Sequence, residues 1–189
     1  MIDTGAEAMA QRWSLRRAVA ADGAALHALL SEPAVYRFLL DGVPPERAAT
    51  DAWIAGARGA PAGSPCGLWL LEGAGGDLAG CVRLGRRGGR RLELTYALHP
   101  RHWGCGLATR MSRTVIEAAF ASGCVDTVLA GADVPNRASL AVMRRLGMRW
   151  CRDVVYPLGP GVEYELRRDD PLPTPSGDMP HFPLEREQS

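Results

Sequence analysis

The chain has 189 residues, 47% of them hydrophobic and 23% charged, with a net charge of +1. That is length enough for one domain with a proper core, and the balanced charge argues against nucleic acid or a membrane surface as partner. All 22 basic residues are arginine, which excludes lysine chemistry such as a Schiff base or a P-loop cation.

Residues 1–12 are small and polar, carry acidic groups and lack a long apolar run, so a flexible N-terminus is expected and not a secretory signal. Residues 13–18 read as a short first strand. A helix over 20–30 follows from the spacing of Leu26, Leu29 and Leu30. Glu32-Pro33 breaks it, and 34–40 reads as a second helical piece. Pro44-Pro45-Glu46 opens a third helix, with Ala48, Ala52, Trp53, Ile54 and Ala57 as its buried side.

Three extended runs come next, 67–72, 78–84 and 90–98, joined by glycine-rich turns as an antiparallel meander. A helix over 107–122 turns Met111, Val115, Ala118 and Ala119 inward and stops at Gly123. The apolar run 125–130 then completes a strand–helix–strand crossover whose two strands should lie parallel. A helix over 135–146 stops at Gly147, and 148–155 with 162–167 make a last strand pair. The segment 169–189 holds five prolines and little periodicity, and is expected to be disordered or draped on the surface. No run of about 18 apolar residues offers a membrane span.

Five cysteines stand singly at Cys66, Cys81, Cys105, Cys124 and Cys151. An odd count without a CxxC pair speaks against a disulfide framework or zinc site, and reduced thiols in a cytoplasm are the expectation. His99 and His102 have near-metal spacing but no third ligand, so no metal is expected.

The chain is organised around 92–109. Leu92, Leu94, Tyr96 and Leu98 alternate along one side of a strand that stops at Pro100. Arg101, His102, Trp103, Gly104, Cys105 and Gly106 make a short loop, and a helix begins near Leu107. Glycines allow a tight turn with exposed N–H groups, and a helix's first turn carries unpaired N–H groups and a favourable dipole. That combination binds phosphate without a cationic side chain; the bland alternative is a plain strand-to-helix turn.

With Asn136, Ser139 and Leu146-Gly147-Met148 behind the next strand, residues 13–168 resemble the GNAT acetyltransferase superfamily. Residues 101–106 match its [Q/R]-x-x-G-x-[G/A] coenzyme A signature. The stretch 93–109 is similar to the E-L-G-Y-W-L-x-P-x-x-x-G-x-G-x-A-T pattern of the RimJ/RimL branch. The resemblance implies an α/β fold: a splayed, mixed but mostly antiparallel sheet of six to seven strands with helices on both faces. It implies acetyl-CoA as donor, a primary amine as acceptor and direct attack on the thioester. The loop residues Arg101 to Gly106, with Leu107, Ala108 and Thr109, would hold the pyrophosphate. The pantetheine arm would pair with the strand through Leu98, whose backbone region supplies an oxyanion donor.

Glu93 stands where that branch carries a glutamate and is the candidate base; the other reading pairs it with solvent or a hairpin arginine. The family's later-helix tyrosine is Met143 here, so Tyr96 and Ser139 are the substitutes for a general acid. Asn136 would touch the pantetheine, or simply cap its helix. Arg137 and Arg110 could reach the 3′-phosphate. The arginines at 83, 86, 87, 90 and 91 read as a solvated edge, and Trp53, Trp69 and Trp103 as packing. Acceptor choice rests on 20–58 and the turn 156–161; Glu32, Asp41 and Glu46 there would favour polycations, although a small or peptide α-amine, including a protein N-terminus, is the preferred acceptor. A homodimer is possible. Two rival functions stay open: a non-catalytic acyl-CoA-binding module, and a dinucleotide-binding fold, since 104–109 nearly spells G-x-G-x-x-[G/A].

Overall fold

The computed structural model describes residues 13–59, 64–173 and 182; the expectation for 1–12, and that for 169–189 apart from 169–173 and 182, fall outside them. In chain order the elements are β1 (Trp13–Arg17), a 3-10 turn (Ala20–Asp22), α1 (Gly23–Leu30), α2 (Pro33–Leu39), α3 (Arg47–Arg58), β2 (Gly67–Gly73), β3 (Leu78–Arg86), β4 (Arg91–Leu98), a second 3-10 turn (Pro100–His102), α4 (Leu107–Ala121), β5 (Thr127–Asp133), α5 (Arg137–Arg145), β6 (Arg149–Tyr156) and β7 (Gly159–Arg167).

Seven strands form one sheet in the order β1-β2-β3-β4-β5-β7-β6. Every neighbouring pair is antiparallel except β4 and β5, which run parallel across the α4 crossover. The expected fold class is therefore the observed one, with helices on both faces. On one face α4 and α5 bury Met111, Val115, Ile116, Leu140 and Met143 against Leu92, Leu94, Leu98, Val128 and Leu166. On the other, α1–α3 bury Leu26, Leu29, Leu30, Val35 and Ile54 against Leu68, Leu70, Cys81 and Ala97. Strand alternation produces this division directly: in β4, even-numbered residues serve one core and Ala97 the other.

Several details differ from expectation. Ala48 and Ala52 are exposed on α3, and its inward stripe is the buried Thr50 and Ile54 with the half-buried Trp53 and Ala57. Ala is small enough to sit on either face, so its position carries little signal. Ala118 is likewise exposed, while α4 is buried all around from Arg110 to Ile116, packed by sheet, α5 and tail. β5 begins two residues later and runs on to Asp133. The arginines of the β3–β4 hairpin are not on an edge, because β3 and β4 lie inside the sheet and β1 and β6 are its edges. Arg90 bridges to Asp126, Arg87 to Glu163, and Arg83 lies over the Trp53 ring. Within the tail, Phe182 is buried in the α4–α5 core, and Pro173 rests against Gly147.

Candidate active site

The loop after β4 is held from beneath. The His99 ring accepts the Arg101 N–H at 3.3 Å, and the Trp103 indole N–H donates to the Leu98 carbonyl at 2.6 Å. Trp103 is thus a half-exposed brace and not core packing. The chain then passes through Gly104 (φ +78°) and Gly106 (φ +73°). Both lie in the left-handed region that glycine enters without a Cβ clash. A Cβ on Gly104 would meet nothing within 4 Å, so the loop is open outward. Gly106 is the N-cap of α4 and has no side chain to satisfy the helix's first N–H groups. The N–H groups of Gly104, Cys105 and Gly106 also find no acceptor among the described residues. An open arc of backbone donors therefore stands at the positive end of a 15-residue helix.

Beside this arc the sheet parts. β4 and β5 pair only at Arg91–Thr127, Leu92–Val128 and Glu93–Leu129, yet β4 continues to Leu98 and β5 to Asp133. The His99 N–H bonds the Ala79 carbonyl on the β3 side, and the Arg90 carbonyl accepts from Asp126 on the β5 side. The Leu94 N–H closes the last rung on the Leu129 carbonyl, and with a period of two the N–H groups of Tyr96 and Leu98 open into the gap. The gap leads straight to the arc. An anion and an extended arm fit here as one ligand.

Residues 12–149 match the acetyltransferase (GNAT) domain family. This chain belongs to the GNAT acetyltransferase family. Solved structures share its fold. A putative acetyltransferase of Salmonella typhimurium with acetyl-CoA aligns at 19% identity over 84% of this chain and 95% of that one, with TM-score 0.70. The ribosomal L7/L12 α-N-protein acetyltransferase RimL in complex with coenzyme A aligns at 18% identity over 82% and 94%, TM-score 0.70. A spermidine N-acetyltransferase from Vibrio cholerae with coenzyme A and spermine aligns at 15% identity over 83% and 96%, TM-score 0.70.

On this GNAT scaffold the anticipated loop residues contribute mainly backbone. The Arg101 guanidinium pairs with Asp77 at 2.5 Å and with the His102 ring at 2.9 Å. Leu107 is buried, Ala108 half-buried, and the Thr109 hydroxyl is enclosed without a hydrogen bond among the described residues. Cys105 is exposed, its thiol 3.5 Å from the Trp103 carbonyl. Arg137 is exposed, but Arg110 is buried under the Phe182 ring at 4.3 Å and does not reach outward.

Asn136 caps α5, its Oδ1 accepting the Ser139 N–H at 3.2 Å. The Tyr96 hydroxyl donates to the Ser139 carbonyl at 3.1 Å, tying β4 to α5. Burial pushes the Tyr96 phenol up to about 12, so it stays protonated and its one donor is engaged. Met143 is fully buried. Tyr96→Phe is accordingly expected to lower unfolding free energy by about 1 kcal/mol while leaving kcat within about twofold, as checked by urea titration beside steady-state rates.

The sheet face opposite α4 holds the ionisable groups. Glu93 is half-exposed, 3.9 Å from Arg87. Burial alone would push Glu163 up, but Arg152 and Arg87, at 2.6 and 2.7 Å, outweigh it and hold its carboxyl below the ordinary range. Tyr156 crosses this face; burial, then the charges of Glu163 and Glu93, push its phenol above the ordinary value. Neither Tyr156 nor Asp133 carries a sequence motif. The only signal for them is the register of β5 against its neighbours, which a single sequence does not state.

Proposed function

We propose that this chain is an acetyl-CoA-dependent N-acetyltransferase that moves an acetyl group to a primary amine by direct attack on the thioester. The supporting observation is the continuity of the open donor arc at 104–106 with the unpaired edge of β4. Coenzyme A fits these residues: N–H groups of Gly104, Cys105, Gly106 and the first turn of α4 suit its diphosphate, and the free β4 edge suits its pantetheine arm. When bound, acetyl-CoA supplies an activated acetyl thioester. The N–H groups of Tyr96 and Leu98 are the donors available to a carbonyl oxygen in the gap, an interaction worth a few kcal/mol when it strengthens in the transition state.

An alkyl amine reaches the site mostly as ammonium, with a pKa of about 10, and must lose a proton to attack. Glu93, at the last rung of the β4–β5 ladder and half-open to solvent, takes that proton directly or through water. Tyr156 holds a protonated hydroxyl beside the gap, where a proton for the departing thiolate is needed and Met143 offers none. The acceptor is a small-molecule or peptide amine, a protein N-terminus included. The unpaired cysteines suit a cytoplasmic enzyme. Among the described residues no helix is long and apolar enough to cross a membrane.

Titration calorimetry with coenzyme A, followed by thiol release from acetyl-CoA across an amine panel, tests the reading. Micromolar binding with turnover on at least one amine is expected. Binding of NAD with none of coenzyme A overturns it, and binding without turnover on any amine leaves a sensor module. Glu93→Gln should cut kcat about 100-fold with the KM for acetyl-CoA unchanged; unaltered kcat would remove Glu93 from the role of base.

A further inference from the structure

Asp133 ends β5 and is 6% exposed. Its Oδ1 has no hydrogen-bond partner among the described residues. The carboxylate keeps a contact to its own backbone N–H, but an enclosed carboxylate oxygen without a partner is costly, and a bound cation removes that cost. The arginines of this face are engaged elsewhere, Arg87 and Arg152 both on Glu163.

Register shows what Asp133 faces. Val128, Ala130 and Ala132 point into the α4–α5 core, so alternation turns Leu129, Gly131 and Asp133 to the opposite side. Asp133 lies four residues beyond the last β4–β5 pair at Leu129, level with Ala97 across the gap, and pairs with Gly161 of β7. Tyr156 stands over this patch. A Cβ on Gly131 would collide with its hydroxyl oxygen, and one on Gly161 would collide with its ring. The two glycines are the floor for an aromatic wall beside Asp133. The α2–α3 turn closes the other side: Asp41, at φ +55°, precedes Gly42, whose Cβ position is 3.4 Å from Leu158 of the β6–β7 turn. Burial, and after it the charge of Asp41, pushes the Asp133 carboxyl above the usual carboxylate range.

We infer that Asp133, with Asp41 and the Tyr156 wall, binds a second ammonium group of the acceptor, so that the substrate class is di- or polyamines. This deepens the transferase reading and rests on it for which nitrogen reacts. Glu93 marks the closed end of the gap, and Asp133 is four strand residues away, roughly 13 Å along the sheet. One nitrogen at each position calls for a flexible chain of methylenes between them.

The test is calorimetric titration of spermidine and of n-butylamine into the chain, with and without coenzyme A. Wild type should bind spermidine at least tenfold more tightly than n-butylamine. Asp133→Asn should remove that preference, and Asp41→Asn should reduce it several-fold. The exposed Asp51→Asn on α3 should leave it intact. Asp133→Asn should melt at or above the wild-type temperature, because it removes a buried charge whose Oδ1 has no partner among the described residues. An unchanged preference in Asp133→Asn overturns the inference, as does a lost preference with a lowered melting temperature, which marks a structural residue. Asp133-dependent spermidine binding by a chain that ignores coenzyme A supports the subsite and overturns the transfer reading. Coenzyme A binding with equal, weak affinity for both amines does the reverse.

Discussion

Gly106→Val is expected to weaken coenzyme A binding at least 100-fold in titration calorimetry. Two causes combine. At φ +73° a β-branched residue is a true outlier and costs at least about 1–2 kcal/mol, so the loop shifts to a different path. The shift redirects the N–H groups that make the donor arc, and the isopropyl group occupies the approach that a diphosphate needs. Strain alone has a control in the same helix. Gly123, just past the end of α4, has φ +72°, and a Cβ placed there would meet nothing within 4 Å. Gly123→Ala should therefore lower stability by about 1 kcal/mol and leave coenzyme A affinity where it was. Equal affinity loss in both variants would mean that the effect is helix destabilisation, and the donor arc would lose its role.

The parts of the site that one strand or one loop specifies were readable in the sequence. Leu92, Leu94, Tyr96 and Leu98 alternate because one face of β4 is buried under α4, and the break at Pro100 with two glycines after it can be little else than a strand-to-helix turn. The parallel pairing of β4 and β5 followed from the crossover. How soon that pairing stops did not, because the gap depends on the divergence of two strands whose local sequences are both ordinary. Asp133 escaped for the same reason, and Tyr156 stood out only as the start of the turn 156–161: Gly131 and Gly161 are single glycines in two separate strands, and only the β5–β7 register makes them one floor. Ala48, Ala52 and Ala118 mislead in the opposite sense, since alanine fits a helix surface as well as a core. Tyr96 shows a different ambiguity. Its position in the strand was right, but a phenol's hydroxyl serves catalysis or architecture according to its partner, and the partner, the Ser139 carbonyl, lies on α5, beyond the crossover.

Phe182→Ala is expected to lower the unfolding free energy by about 3–5 kcal/mol, the range for removing a buried aromatic ring. A proline-rich tail draped on the surface would give a change within about 0.5 kcal/mol, so denaturant titration separates the two. Phe182 is 2% exposed and belongs to the same core as Met111, Val115 and Met143. Its ring also covers the Arg110 guanidinium in the first turns of α4, at 4.3 Å, a contact worth about 1–2 kcal/mol when desolvated. Phe182→Leu keeps most of the apolar volume and loses the ring, so it should cost only about 1–2 kcal/mol; a double-mutant cycle with Arg110→Met isolates the cation–ring part. The consequence reaches the site through α4. That helix presents its N-terminal N–H groups to the loop, and its opposite flank is sealed by a residue far beyond the last strand. On the proposed reading coenzyme A would bind the folded chain and not the unfolded one, so saturating ligand should recover part of the loss in Phe182→Ala by mass action. Failure of coenzyme A to raise the midpoint of this variant, when it raises that of wild type, would show that Phe182 holds the loop's geometry as well as the core.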